Sequence, residues 1–188
     1  MKFIVMAAVC LLALVIVPGR VAVSVSDDHE TSQGGAGLVV GAEENLQALE
    51  NNADTIIHAE VNGNYQTKKE VSDSEHDVYQ MDRVYTATVV DSFKELKGKQ
   101  YKKGDKVEFV YPVGFKQMKD GKLDKDLVPL SDEIIPIETG EYLLFLDDLS
   151  GSYFFSNINH VYKKGNDKRY HNISTDNIPI ITVGDLKD

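Results

Sequence analysis

The stretch 84–110, VYTATVVDSFKELKGKQYKKGDKVEFV, decides the fold class of this chain. Its first third alternates side chains between two faces, and its last third alternates Val107 and Phe109 with charged residues. A period of two residues is typical of a half-buried β-strand. The Gly-Asp pair at 104–105 is a turn signal between the two patterns. The stretch therefore predicts two strands joined by a short polar connection.

A second stretch, GEYLLFLDD at 140–148, is apolar on both faces of an extended chain. Such a run predicts a central strand that is covered on both sides. A short helix is predicted at 43–51, with acidic residues in its first turn, where the helix dipole favours them. The two strands of the first stretch are predicted to extend over 78–92 and 106–111. Further strands are predicted at 55–61, 153–162, 169–173 and 178–183.

Two segments, 62–77 and 115–132, carry much charge and little core pattern, which predicts exposed connections. Within the second, Asp120-Gly121 is expected at the tip of a hairpin. Pro112 is expected to end the strand before it, since proline cannot donate to a central ladder. Pro136 likewise places 134–137 at a sheet edge or in a loop.

The N-terminus has the features of a secretory signal. Lys2 precedes an unbroken apolar run at 3–17, and small residues follow it, so cleavage after Ser24 or Ser26 is expected. The run is shorter than the roughly 20 residues of a spanning helix, which makes a short membrane anchor the alternative for residues 1–26. A lipid-modified Cys10 is a further alternative. Polar, glycine-rich residues 27–42 are predicted to be a flexible linker, and 43–188 a single domain.

Charge and cysteine content narrow the classes of partner. The chain of 188 residues has a net charge of −10, which becomes −12, from 18 basic and 30 acidic residues, without residues 1–26. A strongly negative surface disfavours the binding of nucleic acid and of anionic lipid.

The one cysteine, Cys10, lies in the signal segment, so the domain must be held by its core alone. An exported domain without disulfides favours a bacterial origin.

The order of these elements resembles a known class of fold. A helix precedes ADTIIHAEV at 53–61, and YTATVVDSFKELKG, GDKVEFV and GEYLLFLDD follow it. This order is similar to bacterial exported domains of the netrin-like or tissue-inhibitor-of-metalloproteinase-like class. The resemblance implies a mainly β protein, a single OB-like antiparallel β-barrel with one short N-terminal helix, preceded by a signal segment. The zinc-chelating N-terminal cysteine of the animal inhibitors has no match, so only the fold is implied.

No motif for nucleophilic, metal-dependent or nucleotide chemistry occurs in the sequence. The five histidines lack the close spacing of a zinc site, and Asp120, Asp124 and Asp126 miss the spacing of a calcium loop. Asn172-Ile173-Ser174 is a glycosylation sequon, relevant only in a eukaryotic secretory route. No catalytic residue, cofactor or metal ligand is predicted.

The sequence therefore favours an exported, non-enzymatic binding module of the cell envelope or extracellular space, which binds a protein or wall ligand. Membrane contact is expected only through an uncleaved N-terminal segment. A carboxylate-dependent extracellular hydrolase and an inhibitor of an extracellular enzyme are the alternatives. Function often lies on loops held by a rigid scaffold. The residues expected to contact the partner are Lys68, Lys69, Glu70, Lys116, Lys119, Asp120, Tyr153 and Phe155.

Overall fold

The computed structural model describes residues 43–131, 134–148, 154–155, 157–174 and 177–186, with the side chains at 154–155 left out. The predicted signal (1–26) and linker (27–42), and Tyr153, lie outside the described residues. The described part contains one α-helix, α1 (Leu46–Asn52), two short 3-10 helices, Ile158–His160 and Val183–Leu186, and ten strands. The strands are β1 (Thr55–Asp73), β2 (Val78–Lys94), β3 (Lys106–Lys119), β4 (Lys122–Leu123), β5 (Val128–Pro129), β6 (Thr139–Asp148), β7 (Phe154–Phe155), β8 (Val161–Lys164), β9 (Tyr170–Asn172) and β10 (Ile180–Ile181).

Hydrogen bonds join the strands in the order β1-β2-β3-β7-β6-β8-β9-β10. β4 and β5 pair with β3, and β1 pairs with β6 as well as with β2. Every pairing is antiparallel except the short one between β3 and β7. The prediction of a mainly β, antiparallel domain with one short helix at its start is therefore confirmed.

The prediction of an exposed loop at 62–77 is wrong, because β1 continues to Asp73 and a turn leads directly into β2. Gly63 takes a positive φ of 75°, and the β1–β2 register shifts there without ending the strand. Pairing then resumes from Tyr65 opposite Tyr85 to Asp73 opposite Val78. This part of β1 lacks a buried face, so no period-2 apolar pattern marks it. Its backbone pairing with β2 holds it extended.

The third strand does not end at Pro112, as predicted, but continues as β3 to Lys119. The β2–β3 register shifts between Met81 and Asp82, where Pro112 lies opposite Asp82. An irregularity of this kind accommodates a proline, because the ladder needs no donor there. The hairpin tip at Asp120-Gly121 is confirmed, since β4 follows and pairs back with β3. Residues 134–138 are irregular, which confirms the expectation for Pro136.

Three smaller expectations also change. The helix begins at Leu46, where the Asn45 side chain accepts a hydrogen bond from Ala48 N, so the acidic residues precede the first turn and do not occupy it. Residues 153–162 do not form one returning strand, because β7, a 3-10 helix and the start of β8 are described there. The last predicted strand is reduced to β10, followed by the second 3-10 helix. The strand predicted at 169–173 is confirmed as β9.

β6 lies between two hydrophobic clusters, as the apolar pattern of both its faces predicts. Residues 142–146 of β6 are fully buried. Leu144 contributes to the larger cluster, which β1, β2 and β3 complete, and Leu143 contributes to the smaller one, which contains the helix residue Leu49. The central strand at 140–148 is confirmed.

Candidate functional site

A three-stranded arm extends the sheet beyond the part of β1 that pairs with β6. It consists of residues 63–73 of β1, 78–83 of β2 and 112–119 of β3. The pairing of β1 with β6 ends at Asn62. Within the described residues no strand pairs with the other side of β1 from residue 65 to 71, where β1 pairs continuously with β2. We call this side of β1 the free edge.

The structure separates the residues that the sequence singles out as partner contacts. Lys68, Lys69 and Glu70 lie on the free edge, and Lys116 lies two strands away on β3. The Lys116 ammonium donates to the Lys125 carbonyl at 3.1 Å. Lys119 and Asp120 lie at the far tip of the β3–β4 hairpin, where Lys119 forms an ion pair with Asp124. Phe155 belongs to β7, opposite Val110 and Asp147. These residues therefore do not form a single cluster.

One face of the arm brings together tyrosines and cations from β1 and β2. We call it the tyrosine face. The Arg83 guanidinium lies over the Tyr65 ring, 4.7 Å from the ring centroid, and the Lys69 ammonium lies over the Tyr79 ring at 4.9 Å. Two of the most exposed apolar side chains, Tyr65 at 48% and Val71 at 62%, lie on the same face. Cation–π contacts of this kind are worth about 0.5–1 kcal/mol at exposed sites.

The two cations of the tyrosine face have no acidic partner. Within the described residues, no carboxylate forms an ion pair or hydrogen bond with Lys69 or Arg83. The opposite face of the arm is different. There Lys68 pairs with Glu70 at 2.5 Å, and the buried Asp82 accepts a hydrogen bond from Gln80 Nε2 at 2.8 Å. Among the described residues of the arm, uncompensated positive charge therefore lies on the tyrosine face.

The surroundings of Asp82 show that the charged groups of the opposite face interact with one another. Burial raises the pKa of its carboxyl, and the nearby Glu70 adds to the rise, while the Gln80 hydrogen bond and Lys68 oppose it. Its side chain is 2% exposed, and Lys68 is its cross-strand partner on β1. The charged groups of this face contact one another, which leaves little there for a ligand to satisfy.

The tyrosine face is anchored in the core through stacked rings. Tyr65 packs on Tyr85 with ring centroids 5.5 Å apart, and Tyr85 stacks on Phe109 at the same distance. Tyr85 and Phe109 are buried. The exposed Tyr65 ring is therefore the outer end of a rigid aromatic row. A rigid aromatic side chain contributes contact area at low cost in conformational entropy.

The sequence prediction named Lys69 but missed Tyr65, Tyr79 and Arg83. The alternation of side chains between the two faces of each strand gives a signal for them. Tyr65 and Lys69 share a face of β1, and Tyr79 and Arg83 share a face of β2. Without the register of the β1–β2 pairing, however, nothing in the sequence shows that the two faces coincide.

A second feature is a polar groove of about 480 Å³ across β1, β2 and β6. Glu60 and Glu141 lie directly opposite each other in it, an arrangement that costs free energy when both are charged. Pockets for small ligands are mostly apolar. This groove is lined by carboxylates, hydroxyls, an amide and an ammonium, with one aliphatic side chain. The lining residues are Glu60, Val61, Asn62, Thr86, Thr88, Lys106, Thr139, Gly140 and Glu141.

Glu141 takes part in a network that joins four strands. Its carboxylate accepts from Lys164 Nζ at 2.6 Å and contacts His58 Nε2 at 3.0 Å, and the Tyr170 hydroxyl lies 3.0 Å from the same His58 nitrogen. The hydrogen bond from Lys164 is the main cause of a lowered Glu141 pKa, with a smaller contribution from His58. The network ties β1 and β6 to β8 and β9. We assign it a structural role.

Two other described histidines form local pairs with acidic residues, and a third is buried. His76 contacts Asp73 at 2.7 Å, His171 contacts Asp167 at 3.0 Å, and His160 is buried. Among the residues that the structure describes, no group of three or more His, Cys, Asp or Glu side chains is arranged to hold a metal ion. No helix in the same part of the chain is long and apolar enough to cross a membrane.

Comparison with known proteins gives no matching family model, no matching curated protein and no matching solved structure.

Proposed function

We propose that this protein is an exported, non-enzymatic binding module of the cell envelope or extracellular space that takes up an extended segment of another protein. The segment adds to the sheet as a strand along the free edge of β1. Main-chain hydrogen bonds supply affinity in this mode of recognition, and side chains on alternate positions supply specificity.

The observation that carries the proposal is the length of the free edge. Seven consecutive residues of β1, 65–71, pair with β2 on one side and with no described strand on the other, which is longer than a typical whole strand of about 5–6 residues. An edge of this kind presents a row of backbone N–H and C=O groups that template another strand. Tyr65 and Val71 add exposed apolar area near its two ends. A partner strand would satisfy the backbone groups and cover both side chains.

The scaffold behind the arm is, in this proposal, a small β-barrel of the OB type. Each consecutive pair in the series β1, β2, β3, β7 and β6 is hydrogen-bonded, and β6 pairs back with β1. This supports the resemblance to exported netrin-like domains at the level of fold. OB-type barrels bind many kinds of ligand, so the partner is inferred from the arm and not from the barrel.

Export is proposed from the sequence, because the apolar run at 3–17 follows Lys2 and precedes small residues, as in secretory signals. N-terminal sequencing of the native protein should begin at Val25 or Asp27. Recovery of intact Met1 in the membrane fraction would show a retained anchor and contradict cleavage.

A site-specific photocrosslink tests the binding mode. The photoreactive residue p-benzoylphenylalanine replaces Val71 on the free edge in the full chain, and in a matched control it replaces Val128. Both valines are exposed, at 62% and 67%, but Val128 belongs to β5, on the other side of β3. We expect a discrete crosslinked protein partner from position 71 and none from position 128. Capture from position 128 alone would place the site on β5 and overturn the proposal.

Two proline variants distinguish strand addition from side-chain contact. Neighbouring N–H groups in a strand point to opposite edges, so one of Gln66→Pro and Thr67→Pro removes a donor from the free edge. The other removes a donor from the β1–β2 ladder and lowers the melting temperature more. The variant that keeps its stability should lose the crosslink at position 71. A crosslink that survives in this variant would show that the partner does not pair with the backbone.

A further inference from the structure

We infer that the segment taken up by the free edge is acidic, with carboxylate side chains on alternate positions that face Lys69 and Arg83. This inference rests on the proposed strand addition and specifies the chemistry of the partner. It follows from the charges on the tyrosine face, which no group in the described residues compensates.

The geometry of strand pairing directs the side chains of an added strand. Residues directly opposite each other in a pair point to the same face of a sheet. Alternate positions of a strand beside β1 therefore lie along the row of Tyr65, Thr67, Lys69 and Val71, and the positions between them face Lys68 and Glu70. An acidic side chain on the first set meets cations only. On the second set it meets Lys68 and Glu70, whose charges already compensate each other.

Arg83 can contribute although it belongs to β2 and not to the edge strand. Its guanidinium lies over the Tyr65 ring and is therefore displaced towards the free edge. Thr67, the cross-strand neighbour of Arg83, has a short side chain that does not cover it. The planar guanidinium presents its N–H groups to a carboxylate while its face rests on an aromatic ring. Tyr65 thus holds Arg83 in position for an acidic group.

A peptide fits these observations better than a long polyanion. The whole chain carries a net charge of −10, so a polymer that runs past the two cations is repelled by the rest of the surface. A short acidic segment experiences mainly the local charge of the tyrosine face. A peptide can pair both the backbone donors and the backbone acceptors of the free edge, whereas a polyphosphate has no donor for the acceptors.

The test compares three capped nine-residue peptides for binding to the isolated protein by fluorescence anisotropy. Valine alternates with glutamate in the first, with glutamine in the second and with lysine in the third. In about 50 mM salt we expect the glutamate peptide to bind about 10-fold more tightly than the glutamine peptide, and the lysine peptide to bind least. In about 1 M salt, where the Debye length falls to about 3 Å, the preference should nearly vanish.

Matched variants assign the preference to the two cations. Lys69→Gln and Arg83→Gln should each reduce the preference for glutamate, and the double variant should abolish it. Arg83→Lys keeps the charge and should retain most of the preference even if the ring contact weakens. Lys103→Gln removes an exposed cation from the β2–β3 connection, at the end of β2 away from the arm, and should leave the preference unchanged. Melting temperatures identify any variant that loses the fold.

The outcomes separate this inference from the proposed function. Equal binding of all three peptides, blocked by the stable proline variant, would refute the acidic preference and support strand addition. A glutamate preference that survives the proline variant, together with competition by polyphosphate, would show a general anion site and overturn the inference. If no peptide binds and position 71 captures no partner, both ideas are wrong.

Discussion

At the scale of single residues, Asp147 is a half-buried carboxyl whose charged form the fold disfavours. Burial raises the pKa of its carboxyl from 3.8 to about 6, the Asp54 and Glu43 carboxylates add to the rise, and Lys94 partly opposes it. The folded protein therefore holds this proton more tightly than the unfolded chain. The stability that the protonated carboxyl contributes is present below about pH 4 and is lost as the pH rises through 6.

Asp147→Asn removes the titration while keeping the shape of the side chain. We expect the variant to be more stable than the wild type by about 1–2 kcal/mol at pH 7.5, a value discounted for partial exposure, and equally stable near pH 4. Urea titrations at the two pH values measure the difference. Asp126→Asn, in an exposed segment, serves as the control for the exchange of a carboxylate for an amide. A variant as stable as the wild type at both values would contradict the raised pKa.

At the scale of elements, the attachment of β5 to the arm depends on one glycine. A Cβ atom on Gly114 would lie 2.3 Å from the Val128 carbonyl oxygen and 2.9 Å from Pro129 Cα, both of which are backbone atoms that cannot move alone. Gly114→Ala should therefore separate β5 from β3 and cost about 1–3 kcal/mol. The Leu130 amide, which donates to the Val113 carbonyl at 3.2 Å, reports the separation by faster hydrogen exchange.

Gly121→Ala is the matched comparison for that measurement. Its Cβ would meet nothing within 4 Å, although the φ of 73° strains any L-residue there. We expect it to cost about 1 kcal/mol while the exchange of the Leu130 amide stays as in the wild type. Similar exchange in the two alanine variants would show that Gly114 does not control the contact.

At the scale of the whole molecule, β6 contributes side chains to both hydrophobic clusters, and we expect the two to unfold together. Leu143 and Leu144 are neighbours in the chain, both fully buried, and each belongs to a different hydrophobic cluster. Leu143→Ala and Leu144→Ala should each cost about 2–5 kcal/mol and shift a single unfolding transition. Glu108→Ala, on the exposed side of β3, should stay within about 0.5 kcal/mol. Two separate transitions in circular dichroism and tyrosine fluorescence would show that the clusters unfold independently.

Much of the fold could be predicted from local pattern alone. The buried strand at 140–148, the turn at Asp120-Gly121, the strand start at Thr55 and the single helix all follow from periodicity and turn chemistry, and the structure confirms each of them. These features depend on neighbours in the chain. Apolar residues that are two positions apart share a face of a strand, so the sequence alone is enough to predict which side chains lie together.

The extended arm, and the placement of its two cations on one face, are features that the tertiary structure determines. Residues 62–77 are polar on both faces, so periodicity gives no sign of the long strand that backbone pairing with β2 produces. The two cation–π contacts depend on the register of β1 and β2. Tyr65 and Arg83 are 18 positions apart, and they meet because this register places Arg83 opposite Thr67, which is two residues from Tyr65 on the same face. A slip of one residue would turn every side chain to the other face, and backbone hydrogen bonds, which are the same for any side chains, do not select between the two registers.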